Sequence, residues 1–319
     1  MNLLQEREYY KPFNYPWAFE HYKSQQHMHW LPDEVNLADD LKDFREKLSP
    51  GNKKLLTQIF RFFTQADVDV CCGYAKHYLP TFKQPEIRMM LSAFAAMEAV
   101  HQEAYSQLLE TLGYDENEYQ MFSKIQAMSD KHEYLTNFNM DTKEDIAKTL
   151  AVYSGFTEGV QLFSSFAILL NFPRHNLMKN MGQIVTWSIR DESLHVEGMS
   201  KLFQTYIREN PEIWQDNLKY EIYCAAERVV DLEDAFIDVA FSNCKIPDLT
   251  AQQVKDYIRY IADRRLLGLG MKKIFNSEEN PLSWLDYMLN GVEHTNFFEN
   301  RATEYARAST SGNWQDIFK

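Results

Sequence analysis

Glycine and proline are scarce: the 319 residues hold 11 Gly and 10 Pro, with no low-complexity segment. Loop-rich and disordered architectures are therefore excluded. Cysteine is scarce too. Cys71, Cys72, Cys224 and Cys244 form no Cys-x-x-Cys pair, so a thiolate metal site or disulfide scaffold has no basis. They read as reduced thiols of a cytoplasmic protein. No stretch approaches the ~20 apolar residues of a membrane span. The N-terminus, "MNLLQEREYY", lacks the basic-then-apolar pattern of a signal peptide. Basic runs are missing as well, and the formal net charge is −13. Neither a nucleic-acid backbone nor an anionic membrane is expected as a partner.

What is present is apolar periodicity over long distances. Breaks fall at "SPG" (49–51), Pro85, Gly113, "FPR" (172–174), Pro211, Pro247 and Pro281. Between them the spacing predicts helices near 37–48, 52–78, 86–112, 117–130, 143–171, 175–208, 212–242, 250–275 and 282–289. No segment alternates like a strand. The expected class is all-α, a bundle of unusually long helices in one domain spanning 1–319. Residues 1–36 read as an N-terminal arm whose first 30 residues are loosely ordered. Residues from about 300 to 319 read as a flexible tail.

Polar residues interrupt that apolar pattern at regular places. In "SAFAAMEAVHQEAYSQLL" (92–109), Glu98 and His101 lie three residues apart, and Tyr105 follows one turn later. In "TWSIRDESLHVEGM" (186–199), Glu192 and His195 repeat the spacing. Residues three apart share a helix face, so each pair can reach one point. A single Glu-x-x-His is more often a satisfied polar pair on a wet surface. Here the flanking residues are apolar, and an unpaired buried carboxylate costs several kcal/mol.

Two more acids complete the pattern. Asp67 interrupts the stripe Ile59, Phe63, Val70, Tyr74 in "LLTQIFRFFTQADVDVCCGYA" (55–75). Glu158 is the only charge in "LAVYSGFTEGVQLFSSFAILL" (150–170), beside the small Ser154 and Gly155. Asp67 precedes Glu98 by 31 residues, and Glu158 precedes Glu192 by 34. Two such units supply four carboxylates and two imidazoles to one core. That donor set is the one found in di-iron and di-manganese carboxylate bundles. Oxygen-rich ligands suit Fe and Mn.

The motifs "TQADV", "MEAVHQEAY", "TEGVQLFSSF", "IRDESLH" and "EHTNFFENRATEY" resemble those of the small, radical-generating subunit of class I ribonucleotide reductases. The resemblance runs from "HWLPDEV" (29–35) to the C-terminus. It implies a ferritin-like bundle with extra helices and a dimetal-carboxylate site in its core. It implies metal ligation by Asp67, Glu98, His101, Glu158, Glu192 and His195. Tyr105 matches the radical-bearing tyrosine, and it shares the Glu98 face to within ~20° over the heptad. Trp30 and Asp191 match the inner end of the radical-transfer relay. Glu299 and Tyr305 match tail residues that pass the radical onward. Leu162 and Phe166 are expected to keep the radical pocket dry, whereas Ser188 is polar where an apolar neighbour is expected. Trp314 and Phe318 resemble the apolar foot by which such tails dock into the large subunit.

The resemblance further implies a homodimer and, as an open question, a flavoprotein activator. Two iron ions are the first expectation, with Mn₂ and Mn/Fe also fitting the ligands. Two other readings stand beside it: an iron-storage bundle, and a dimetal oxidase or monooxygenase with its own organic substrate. Storage has no need of Tyr105, Trp30 or the tail, and an oxidase needs an open pocket beside the metals.

Overall fold

A computed structural model describes residues 2–136, 139–242 and 244–289. Twelve α-helices carry it: α1 Pro16–His27, α2 Ala38–Glu46, α3 Pro50–Gly73, α4 Leu79–Thr81, α5 Pro85–Thr111, α6 Gln126–Thr136, α7 Lys143–Leu150, α8 Glu158–Val160, α9 Phe163–Arg174, α10 Lys179–Glu209, α11 Asp216–Ser242 and α12 Ala251–Gly268. No strand occurs among the described residues. All twelve belong to one compact unit, Met1–Pro281. A second unit, Leu282–Lys319, is described only as far as residue 289 and is helical over 283–289.

The helix starts are written locally. Ser49 accepts a hydrogen bond from the Asn52 amide, with Pro50 as the first helical residue of α3. Thr142 with Asp145, and Thr250 with Gln253, form capping boxes on α7 and α12. The start of α10 is capped from a distance instead. Asp40 of α2 accepts from the amides of Met181 (2.5 Å) and Asn180 (3.2 Å), and Asp43 accepts from that of Met178 (3.0 Å). Two acids at a helix N-terminus also complement its dipole. This pins the helix that carries Asp191, Glu192 and His195.

The main pairing is α3 along α5, with α9 and α10 packed against each other. The long helices expected at 52–78 and 143–171 are each interrupted. Tyr74–Tyr78 and Ala151–Thr157 adopt π-helical turns, and a further break at Gln161 and Leu162 precedes α9. The small Gly155 leaves no empty space: a side chain there would begin 3.1 Å from Leu269 Cδ1.

The first 30 residues are not loosely ordered. α1 packs along α5, Arg7 pairs with Glu86 at 2.7 Å, and Leu3 and Trp30 are buried. The arm closes over the face of the bundle that carries the acids.

Candidate metal centre

Four helical segments bring six side chains to one place. Asp67 comes from α3, Glu98 and His101 from α5, Glu158 from the first residue of α8, and Glu192 and His195 from α10. Each is at most 1% exposed. Donor atoms of Asp67, Glu98, His101 and Glu192 lie within 4.8 Å of one another, as do those of Glu158, Glu192 and His195. These are two half-sites with Glu192 in common.

Glu98 and Glu192 both stand between the histidines. Glu98 Oε2 is 3.5 Å from His101 Nδ1, and its Oε1 is 2.9 Å from His195 Nδ1. Glu192 Oε1 is 3.4 Å from His101 Nδ1, and its Oε2 is 3.8 Å from His195 Nδ1. Each of these carboxylates thus presents one oxygen to each histidine, and Glu192 belongs to both donor groups. Asp67 and Glu158 stand at the two ends.

Each imidazole is turned by a partner on its far side. His101 Nε2 lies 3.2 Å from Asp191 Oδ2, and His195 Nε2 lies 3.0 Å from Gln25 Oε1. With the proton on Nε2, the Nδ1 lone pair of each ring faces the centre. Gln25 also donates to Asp191 Oδ1 at 3.3 Å, so one amide ties the two outer partners together. Sequence reasoning missed Gln25, since a glutamine in a polar arm carries no signal. Tyr74, which donates to Glu158 Oε2 at 3.0 Å, was visible only as one more aromatic of the α3 stripe. Gln25→Leu is expected to weaken metal binding beside His195 by about tenfold, as loss of an imidazole's outer partner does elsewhere. Calorimetric Mn(II) titration against the parent protein checks this, and an unchanged isotherm would refute it.

The charges also call for cations. Burial, then the neighbouring carboxylates, push Asp67, Glu158 and Glu192 above the usual carboxylate range. Burial acts on Glu98 too, but His101 and His195 bring it down to about 2. Burial opposes charge on His101, yet Asp191, Glu192 and Glu98 together raise its pKa well above the usual value. The centre therefore favours positive charge. Asp67 Oδ2, both oxygens of Glu98, Glu158 Oε1, Glu192 Oε2 and His195 Nδ1 are buried without an aligned hydrogen-bond partner. Buried polar atoms are rarely orphaned. Six in one cluster, all hard O or imidazole N donors facing inward, fit a pair of divalent Fe- or Mn-type cations.

Tyr105 is buried beside the first half-site. Its ring stacks on Phe63 (centroids 4.5 Å apart), which stacks in turn on Phe166 (5.0 Å). Leu162 is buried as well. The phenol donates to Ser188 Oγ at 3.2 Å, and Ser188 donates to the Ile184 carbonyl at 3.1 Å. The hydroxyl that looked out of place in the sequence is thus satisfied within its helix, and it holds the phenol. Burial, then Asp67, push the Tyr105 pKa far above its usual value, so the group stays protonated.

Trp30 donates to Asp191 Oδ2 at 2.8 Å, and its ring lies 6.0 Å from that of His101. Trp30, Asp191 and His101 are thereby joined from the arm to the centre. Glu299, Tyr305, Trp314 and Phe318 lie outside the described residues. A cavity of about 700 Å³ is lined by Asp130, Lys148, Glu221 and Arg228 among others, and by none of the six donor residues. No described helix is long and apolar enough to cross a membrane.

Comparison with known proteins agrees with this geometry. The family model "Ribonucleotide reductase, small chain" matches residues 7–281. The chain is 47% identical to the probable ribonucleoside-diphosphate reductase small subunit 376L of Invertebrate iridescent virus 6, covering 100% of this chain and 99% of that one. It is 33% identical to the ribonucleoside-diphosphate reductase subunit beta of Chlamydia pneumoniae, over 95% and 90% of the two chains. Among solved structures, the ribonucleotide reductase R2 subunit from Clostridium botulinum superposes with a TM-score of 0.80 at 20% identity, covering 86% of this chain and 89% of that one. The dimanganese(II)-NrdF of Streptococcus sanguinis superposes with a TM-score of 0.74 at 23% identity, covering 86% and 97%. The structural likenesses speak for the fold, and the family model and close relatives for the lineage: this chain belongs to the ribonucleotide reductase small-chain family.

Proposed function

We propose that this small chain holds two metal ions between α3, α5, α8 and α10 and stores a radical on Tyr105. Asp67, Glu98, His101, Glu158, Glu192 and His195 would hold them, Glu98 and Glu192 from between the two histidines. When bound, the metal pair supplies oxidising power drawn from O₂ or a related oxidant. Iron is the first candidate, with Mn₂ and Mn/Fe served by the same donors. Burial keeps Tyr105 a neutral phenol, so on oxidation its electron would go to the bound metal pair and its proton to Asp67, the carboxylate whose charge acts on it most. Phe63 and Phe166 keep water from the oxidised ring. Ser188 Oγ accepts the phenol's hydrogen bond and orients the hydroxyl.

The radical equivalent then leaves through His101, Asp191 and Trp30. It passes by Glu299 and Tyr305 to the large subunit, where ribonucleotides become deoxyribonucleotides. Trp314 and Phe318 anchor the tail there as apolar side chains. The working assembly in this reading is a cytoplasmic homodimer bound to the large subunit. A flavoprotein activator is an open part of the same reading.

One observation carries the reading: a sealed cluster of orphaned donors with a buried tyrosine on one side and a Trp–Asp–His line on the other. A storage bundle has no use for that line, and a self-contained oxidase would need substrate to reach donors that are at most 1% exposed. Elemental analysis of the loaded protein is expected to give two metal ions per chain. Glu192→Ala is expected to leave one or none, because its oxygens serve both half-sites. Full occupancy in Glu192→Ala would overturn the assignment.

A further inference from the structure

Glu158 enters the centre from unusual backbone. It directly follows the π segment Ala151–Thr157, and α3 ends in the other π segment, Tyr74–Tyr78. Such turns are rare and concentrate at functional sites. The two segments meet through three buried tyrosines. The Tyr153 ring lies 6.1 Å from that of Tyr74 and 5.4 Å from that of Tyr78. Tyr153 donates to the Val70 carbonyl at 2.5 Å, and it can approach only because residue 73 is glycine. A Cβ on Gly73 would collide with the Tyr153 hydroxyl oxygen. Tyr78 donates to the Thr149 carbonyl at 3.2 Å. Two of the three phenols thus bind backbone and fix the cluster.

Tyr74 alone among the three aims its hydroxyl at a donor of the centre, Glu158 Oε2, at 3.0 Å. Glu158 Oε1 is left buried with no hydrogen-bond partner. The two oxygens of one carboxylate are therefore not equivalent. One is engaged by a phenol held on both sides, and the other is free for a cation. Glu98 and Glu192 instead turn both oxygens toward the histidines.

We propose that Tyr74 is a positioning residue for the second metal position: its phenol occupies Oε2, so Glu158 ligates through Oε1 alone. This rests on the dimetal reading above and assigns to one residue the control of how Glu158 binds. A metal that took both oxygens would compete with the phenol for Oε2. Removing the hydroxyl frees a buried, otherwise unsatisfied oxygen to chelate.

The test is a Mn(II) titration of the metal-free full chain, followed by calorimetry and by electron paramagnetic resonance. Tyr74→Phe keeps the ring and its packing. The first binding step is expected to stay unchanged and the second to tighten severalfold, opposite in sign to the loss that removing a merely supporting outer partner brings. The resonance of the second Mn(II) should change with it, reporting a new ligand set. Tyr78→Phe, which loses only a backbone contact, should leave both steps as in the parent. A second step that is unchanged or weaker in Tyr74→Phe overturns the proposal alone, as does an equal shift in Tyr78→Phe. A parent protein that binds fewer than two Mn(II) overturns the dimetal reading and the proposal with it.

Discussion

Tyr105→Phe is expected to abolish ribonucleotide reduction while leaving fold and metal content intact. The change removes one oxygen atom. The ring keeps its stacking on Phe63, and no ligand of the centre loses a contact. Ser188 loses the phenol but still donates to Ile184, so no new buried donor is orphaned. A phenyl ring cannot release a proton with its electron, so nothing at position 105 stores the oxidising equivalent. Turnover with the large subunit should fall by about a thousandfold or more, a loss of ~4 kcal/mol in transition-state terms. Electron paramagnetic resonance after oxidant exposure should show no stable tyrosyl signal. A persistent signal would place the radical elsewhere, and Tyr74, already bonded to Glu158, would be the first residue to replace.

The legible parts of this molecule were those set by local periodicity. Long helices followed from apolar spacing, and both Glu-x-x-His pairs followed from carboxylates in an apolar context. Glu98 and Glu192, which stand between the histidines, were not separable from Asp67 and Glu158 at the ends. All four looked alike as charges in apolar stripes, and only the helix arrangement decides which carboxylate stands between the histidines. The π segments were hidden because their residues continue a helical pattern; a one-residue slip in hydrogen bonding leaves little mark on spacing. Gln25 was hidden for another reason. The arm that carries it has weak amphipathic character, and its order comes from long-range contacts such as Arg7 to Glu86 and Trp30 to Asp191. Tyr74 was seen but read as core packing, which is also true of it. The function of its hydroxyl depends on Glu158, 84 residues away.

Asp191→Asn is expected to fail at a different step from Tyr105→Phe. Asp191 is fully buried, and Trp30, His101, Gln25 and Arg190 converge on it. Oδ2 faces Trp30 Nε1 at 2.8 Å and His101 Nε2 at 3.2 Å, and Oδ1 accepts from Gln25 Nε2 at 3.3 Å. All are donors in the arrangement that leaves both Nδ1 atoms for metal. A carboxylate can accept from every one of them, whereas an amide of the same shape offers one oxygen and one NH₂. If the amide oxygen keeps Trp30 and His101, its NH₂ meets Gln25 donor to donor. Turning Gln25 over would relieve that contact but take its oxygen away from His195. The variant also loses the charge. Burial raises the Asp191 pKa, but His101, Arg190 and Trp30 together hold it below its usual value, so a carboxylate stands between Trp30 and His101. The substituted amide cannot take up a proton as charge moves between Trp30 and His101. None of the six candidate ligands is altered, so at saturating metal two ions should still bind, if more weakly, and the Tyr105 radical should still form. Turnover with saturating large subunit should fall by about a hundredfold or more, the scale of a lost proton-transfer partner. Spin counting and turnover assays on one preparation separate the cases. A normal radical with turnover within about threefold of the parent would remove Asp191 from the relay, and a missing radical would make its role that of holding His101.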